Sequence, residues 1–442
     1  MLEVAIIADD LTGAADTGVQ FCPYFLDTIL MSYNKISFDP DGVSHSPLQA
    51  LAVYTNSRFL NAVQAQKRLH DVARQLLLLR PNHIYKKVDS CIRGNLGPEV
   101  EAVMDEMGYE VSFISPAFPE MGRTTCHDVH LVDGVPVALT ELSQDPVTPV
   151  TESRLSRVVS TGGRYKVACI DLCLLDRTDQ VLNAEIDRLI FSGARHLVFD
   201  ATQQKHLDTI ARLAVSSPRK ILLVGSAGLA GSFSRSFPKQ RAPAERIAAI
   251  SKEGNYLLVC GTTSKRTHDQ IERLLKTYSY GTITLAPDLL ADKNKRESLL
   301  LEAPRARSML EKDNLIIRIA APGFSVGGDD KRSGPWTGEQ IVQGLGFFVS
   351  SVLRKTRPAS LFLTGGDTAN AVLKAIDAKG IRLGGEIVSG MVYGMLMGGS
   401  TDRLPITTKA GAFGKRDTLV ALHEYWENQR LLAKSRSNRD RK

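Results

Sequence analysis

Short apolar runs alternate with amphipathic stretches along most of this chain, and that alternation limits its fold more than any other feature. The runs fall at Val4–Ala8, 51–55, 83–88, 111–114, 167–170, 196–199 and 221–224. Stretches of helical periodicity lie between them, such as 61–79 (NAVQAQKRLHDVARQLLLL). The pattern predicts parallel βα units. It lapses over the charged, proline-containing segment 237–253 and resumes at Tyr256–Cys260, Leu315–Ile319, 361–364 and 405–408. The expected fold class is therefore α/β, with two domains, each a largely parallel sheet flanked by helices. Their expected bounds are 1–238 and 255–430, with a linker at 239–254 and a basic tail at 431–442 whose end, KSRSNRDRK, should fray. The Gly-rich stretch 323–338 reads as a polar loop.

At 442 residues there is enough chain for two such cores. Hydrophobic content of 43% and charged content of 23% are those of a soluble globular protein. No run approaches the roughly 18 apolar residues of a membrane span. The first apolar run has no basic segment before it, so a secretory signal is not expected and the cytoplasm is. A net charge of +7 suits a small anionic ligand. With 6% aromatic residues and no basic patch interleaved with them, nucleic acid is not an expected partner. The six cysteines form no C-x-x-C pair, which argues against disulfides. Cys126, His127 and His130 have the residue types of a metal cluster, but four-coordinate zinc needs further ligands, and a polar loop is the simpler reading.

Candidate chemistry gathers at strand ends. The first run closes on Asp9 and Asp10, then small residues through Gly18. One aspartate serves as a helix N-cap; two in a row exceed what capping requires. VYTNSRF places Ser57 and Arg58 after the second run. IYKKVDSCIRGN places Lys86, Lys87, Val88, Asp89, Ser90, Arg93 and Asn95 at the end of the third. Carboxyl ends of strands in one parallel sheet converge on one crevice. Arginine offers a fork for a carboxylate, and aspartate accepts from hydroxyls, so the ligand class is a polyhydroxy acid. Lys86 alone reads as a solvated surface charge. The long segment SPAFPEMGRTTCHDVHLVDGVPV is either functional or a surface excursion.

The C-terminal half carries a different signal. LFLTGGDTANAVLKAI reads as strand, Gly365-Gly366-Asp367-Thr368, then helix. CGTTSKRTHDQI supplies Gly261, Thr262, Thr263 and Ser264, and TKAGAFG supplies Lys409, Gly411 and Gly414. Glycines admit phosphate to the backbone, and a helix N-terminus offers free N–H groups. Established signatures are absent. Before Gly414-Lys415 the earlier P-loop glycine position holds Lys409, and after Gly344-Leu345-Gly346 the third glycine position holds Val349. Turn glycines with an aspartate cap remain an alternative reading.

Taken in order, these motifs, together with VGSAGLA and with Thr267 and Gln270 after GTTS, resemble the four-carbon acid sugar kinases over about residues 4–423. The resemblance implies an N-terminal acid-sugar domain, a C-terminal ATP domain and an active site in the cleft between them. It also implies ATP-dependent phosphorylation of a terminal hydroxyl, D-threonate to 4-phospho-D-threonate, with Mg²⁺ bridging the phosphates. Asp10, Arg58, Lys87, Val88, Asp89, Ser90 and Arg93 would bind the acid. Ser264, Gly365, Gly366, Asp367, Thr368 and Gly411 would bind ATP. Asp10 and Asp367 are the two candidates to take the proton, with Asp9 supporting the turn. Metal ligands are not assigned.

Val88-Asp89-Ser90-Cys91 and Arg93-Gly94-Asn95 depart from the Phe-Asp-Ser-Thr and Lys-Gly-Asn of the 3-oxotetronate branch and favour the threonate/erythronate one. D-Erythronate or 3-oxotetronate is the alternative acid. A regulator that binds both ligands without turnover is the non-enzyme alternative, and a dehydrogenase of the same acids is a third reading. Oligomeric state stays open, a homo-oligomer included.

Overall fold

Val4–Ala8 forms a strand (β1) buried along its whole length, and the rest of the N-terminal sheet is laid out around it. The computed structural model describes residues 2–24, 27–36, 48–145, 148–239, 253–262, 264–320, 336–411 and 413–439. The chain divides into two units, Met1–Ala242 and Pro243–Lys442.

In the first unit β1 is joined by β2 (Thr28–Ser32), β3 (Ala50–Tyr54), β4 (His83–Lys87) and β5 (Val111–Ser115). Three short strands follow, β6 (Arg123–Cys126), β7 (Val129–Val132) and β8 (Val135–Pro136), and then β9 (Lys166–Ile170), β10 (Ala194–Phe199) and β11 (Ile221–Gly225). The main sheet runs β2-β3-β1-β4-β11-β5-β10-β9, with every pair parallel. From β1 the chain builds β2 and β3 on one side and then crosses to β4 on the other. The carboxyl end of β1 is thus a topological switch point, where open parallel sheets leave room for a ligand. Central strands are covered on both faces, so they read as unbroken apolar runs; the edge strand β9 exposes Lys166 and Cys169.

Helix Ala62–Leu78 shows how the covering layer forms. Asn61 caps it by accepting from Gln64 N–H at 2.9 Å. Ala65, Leu69, Val72, Ala73 and Leu76 recur at helical spacing and supply its buried face. It packs on helix Leu96–Met107, where Glu106 receives His70 and Arg74.

The second unit contains β12 (Tyr256–Cys260), β13 (Gly281–Leu285), β14 (Leu315–Ile319), β15 (Ser360–Thr364), β16 (Gly380–Val388), β17 (Met391–Met397) and β18 (Pro405–Lys409). Strands β13-β14-β12-β15-β18 are parallel; β17 runs antiparallel to β18, and β16 to β17. Trp426, from helix Thr418–Arg439, packs on Tyr256 with ring centroids 4.5 Å apart and closes the core on that face.

Each unit is a largely parallel α/β sheet, as the alternation predicts. The sequence reading did not anticipate β2, β6–β8, β13, β16 or β17. The last helix runs from Thr418 to Arg439, a stretch without proline or glycine, and residues 440–442 of KSRSNRDRK lie outside the described residues. Residues 240–252 of the expected linker and 323–335 of the Gly-rich loop lie outside the described residues. Among the described residues no helix is long and apolar enough to cross a membrane.

Candidate active site

Three adjacent strand ends, those of β3, β1 and β4, bring the N-terminal candidates together. Asp10 caps helix Leu11–Gly18: its carboxylate accepts from Gly13 N–H at 3.1 Å and from the Thr12 hydroxyl at 2.7 Å. Asp9, from the same turn, is buried. Arg58, after β3, donates through Nε to Asp9 at 2.6 Å and through Nη2 to Asp10 at 2.9 Å, and lies 3.7 Å from Asp89. Arg93 forks onto Asp89, through Nε at 2.8 Å and Nη2 at 3.1 Å. Burial alone would raise the Asp9 carboxyl, but Arg58 and then Lys87 outweigh it and hold it below the usual carboxylate range. Burial acts on Asp89 in the same way, and Arg93 and Arg58 hold it far below that range.

Two expectations change. The Arg58 fork, assigned from sequence to a ligand carboxylate, is engaged at Nε and Nη2 by the chain's own aspartates, which leaves Nη1. Lys86 is not a solvated surface charge: it is fully buried, 2.8 Å from Glu99, and donates to the Lys87 carbonyl at 2.9 Å. Strand alternation puts neighbours on opposite faces, so Lys87 goes to the cluster and Lys86 into the interior. Lys87 is buried yet has no hydrogen-bond or ion-pair partner among the described residues. A Cβ on Gly13 would lie 2.7 Å from its Nζ, so this glycine, which the sequence reading left without a role, leaves room for the ammonium. Asp9, Asp10 and Asp89 are balanced there by Arg58, Arg93 and Lys87.

The turn after β4 is irregular. Val88 N–H donates to Gly225 at 2.9 Å, Ile92 has φ +58° and Gly94 φ +95°. Ser90 is buried, and its hydroxyl has no partner among the described residues. Asn95 ties the turn to the β3 loop through the Leu60 carbonyl at 2.9 Å. The long segment after β5 forms the small antiparallel sheet β6-β7-β8. His130 on β7 faces inward, its Nδ1 3.0 Å from the Thr125 hydroxyl and its Nε2 2.8 Å from the Ser90 carbonyl. With both ring nitrogens so occupied it is no metal ligand. No group of three or more metal-ligating side chains occurs among the described residues.

In the second unit the loops after β12, β15 and β18 meet. Thr267 donates to the Gly411 carbonyl at 2.8 Å, and Gln270 to those of Phe413 and Lys415 at 3.1 and 2.9 Å. A Cβ on Gly261 would strike Thr368, and one on Gly411 would lie 2.5 Å from the Thr262 hydroxyl. Gly365, at φ +97°, precedes helix Gly366–Ala375, whose first turn has no side-chain cap and carries exposed Asp367. Ser264 precedes helix Lys265–Thr277, likewise uncapped by its side chain. The two uncapped helix starts and the Gly411 loop form a cradle of backbone groups suited to phosphate. Lys409 is not part of its face. Buried, it donates to the carbonyls of Ala410 and Phe413 at 2.9 and 3.0 Å and so folds the loop from within; burial lowers its ammonium to about 8. Thr263 lies outside the described residues.

Comparison with known proteins assigns these halves. A model of a sugar-binding N-terminal domain matches residues 4–233, and one of a nucleotide-binding C-terminal domain matches residues 257–419. The class is thus a protein that couples a sugar-binding domain to a nucleotide-binding one. D-Threonate kinase of Salmonella typhimurium (strain LT2) is 30% identical over 441 residues, 96% of this chain and 99% of that one. D-Erythronate kinase of Heliobacterium modesticaldum is 28% identical over 436 residues, 96% and 97% of the two chains. A solved structure from Salmonella typhimurium LT2 shares the fold, with a TM-score of 0.77 at 22% identity, covering 96% of this chain and 99% of its own. This chain belongs to the four-carbon acid sugar kinase family.

Proposed function

We propose that the chain transfers the γ-phosphoryl group of ATP to the terminal (C4) hydroxyl of D-threonate, giving 4-phospho-D-threonate and ADP. The observation that carries the acid-binding half is Lys87: a buried ammonium without a partner, beside carboxylates already paired with arginines. A buried unpaired cation is costly, and an anionic ligand offsets that cost. The acid's carboxylate lies against Lys87 and Arg58 Nη1, while Asp10, Asp89 and Ser90 take its hydroxyls; Val88 and Arg93 complete the surround. Both Asp10 oxygens are fixed by Thr12, Gly13 and Arg58, so the carboxylate is oriented before ligand arrives.

ATP is held by Ser264, Gly365, Gly366, Asp367, Thr368 and Gly411, in loops packed so closely that a Cβ on Gly261 would strike Thr368 and one on Gly411 would strike Thr262. Mg²⁺ carried in with ATP would neutralise phosphate charge, and Asp367, an exposed carboxylate at this helix start, would be the residue to face it. The acceptor oxygen forms its bond to phosphorus as the bond to the β–γ bridging oxygen breaks. The hydroxyl proton passes to a carboxylate, and Asp10, which touches the acid, is the better placed in this scheme; Asp367 is the alternative. Phosphoryl transfer depends chiefly on positioning and charge, so a strong base is not required.

D-Erythronate is the second reading, supported by the relative at 28% identity. Residues 88–91 and 93–95, which differ from the 3-oxotetronate pattern, support either acid against 3-oxotetronate. A coupled ADP-release assay with ATP and Mg²⁺ on D-threonate, L-threonate, D-erythronate and 3-oxotetronate tests the proposal. The expected result is the highest kcat/KM on D-threonate. Preference for another four-carbon acid overturns the substrate but keeps the reaction. Silence on all four, with ATP still bound, favours the non-catalytic regulator.

A further inference from the structure

We propose that His130 is a positioning residue for acid binding: its imidazole clamps the Ser90 carbonyl and so holds the 88–95 turn in the form that presents Lys87, Asp89 and Ser90. The inference rests on the acid-binding reading of that turn.

A carbonyl only accepts, so the 2.8 Å contact requires the proton on Nε2; Nδ1 then accepts from the Thr125 hydroxyl at 3.0 Å. Among the described residues no other group donates to the Ser90 carbonyl. The ring's own support is rigid. Thr125 and Ala201, at the end of β10, exchange two backbone hydrogen bonds of 2.9 Å. Asp200 receives the backbone N–H groups of His127 and Asp128 at 2.7 and 3.0 Å, and His130 N–H donates to Ser153 at 2.8 Å. The turn, in contrast, belongs to no helix or strand and passes through two residues of positive φ. The small sheet β6-β7-β8 thereby acts as a buttress running from β10 to the ligand side of β4. It gives the long segment after β5 a purpose that neither metal binding nor direct ligand contact supplies.

The test compares His130→Phe, which keeps a ring but no donor, with His130→Gln, whose amide nitrogen can reach the Nε2 position. In the phenylalanine variant KM for the acid should rise about 10-fold or more, with KM for ATP nearly unchanged, and glutamine should recover most of the loss. Hydrogen exchange of the Cys91, Ile92 and Arg93 amides, measured without ligand, should accelerate in the phenylalanine variant and return toward wild type with glutamine. Unchanged exchange, or equal behaviour of the two variants, overturns the inference. If the phenylalanine variant does not fold, His130→Asn replaces it, because the shorter amide cannot reach Ser90; asparagine matching glutamine then overturns it. Failure of the wild-type protein to turn over any four-carbon acid would instead strike the acid-binding reading, and the exchange data would still judge His130.

Discussion

Asp10 joins two roles that a substitution can separate. Asparagine caps helices about as well as aspartate, so Asp10→Asn should keep the bond from Gly13 and cost at most about 1–2 kcal/mol of stability. Arg58 would retain Asp9 and Asp89. What the variant lacks, on the proposed mechanism, is the charge that holds and activates the acid hydroxyl, so kcat/KM should fall about 100-fold or more. Activity near wild type would remove Asp10 from the mechanism. A second prediction concerns pH. Burial lowers His130 from 6.5 to about 4. Its folded pKa lies below its unfolded one, so its contribution is fully present above pH 6.5 and is lost as pH falls toward 4. Across that window the loss is roughly 3 kcal/mol. In urea denaturation between pH 7 and 4.5, His130→Gln should lose distinctly less stability than wild type; parallel losses would show that the imidazole is not held neutral. At this scale the sequence was partly legible. Paired aspartates at a strand end and the 87–93 cluster announced a site. Arg58 lies 48 residues from Asp10, and no local pattern reveals that a tertiary approach engages its fork. The opposite fates of Lys86 and Lys87 were available from strand alternation, once both were placed on a strand.

The proposed nucleotide cradle is built from element ends, and its glycines mark where those ends touch. At φ +97°, Gly365 occupies a conformation that costs an L-residue about 1–2 kcal/mol, and a methyl there would sit 3.3 Å from the Thr368 hydroxyl. Gly365→Ala should therefore raise KM for ATP about 10-fold or more through a shifted helix start, while KM for the acid stays near wild type. The two KM values, measured separately, check this; a rise confined to the acid would misplace the nucleotide. Parallel strands were legible because burial on both faces makes them continuous apolar runs, and β1 and β12 keep the bounds read from sequence. Strands β16 and β17 were not. GIRLGG and MVYGMLMGG are dense in glycine, which weakens any strand signal, yet the sheet uses that absence of side chain: a Cβ on Gly394 would strike the Arg382 carbonyl. β6–β8 escaped for another reason. Strands of two to four residues carry too little periodicity to read, and they form because Asp200 and Ala201 anchor their turns.

At the level of the whole molecule, the chain divides into two units, Met1–Ala242 and Pro243–Lys442, each with its own parallel strands, and the proposed acid and nucleotide residues fall one set in each. The proposed acid cluster uses residues 9–93 and the proposed phosphate cradle residues 261–411, with no residue common to both. Binding should then be separable in energy. A ligand at 100 times its Kd stabilises the state that binds it by about 2.7 kcal/mol, and hydrogen exchange reads that stabilisation locally. D-Threonate should protect the 88–93 turn in wild type and in Gly365→Ala but not in Asp10→Asn. A non-hydrolysable ATP analogue should protect 365–368 in wild type and in Asp10→Asn but not in Gly365→Ala. This crossed pattern requires each substitution to abolish one ligand's effect and spare the other's. If either variant lost both, the acid and the nucleotide would not occupy separate sites, and the division of labour assigned to the two units would fail.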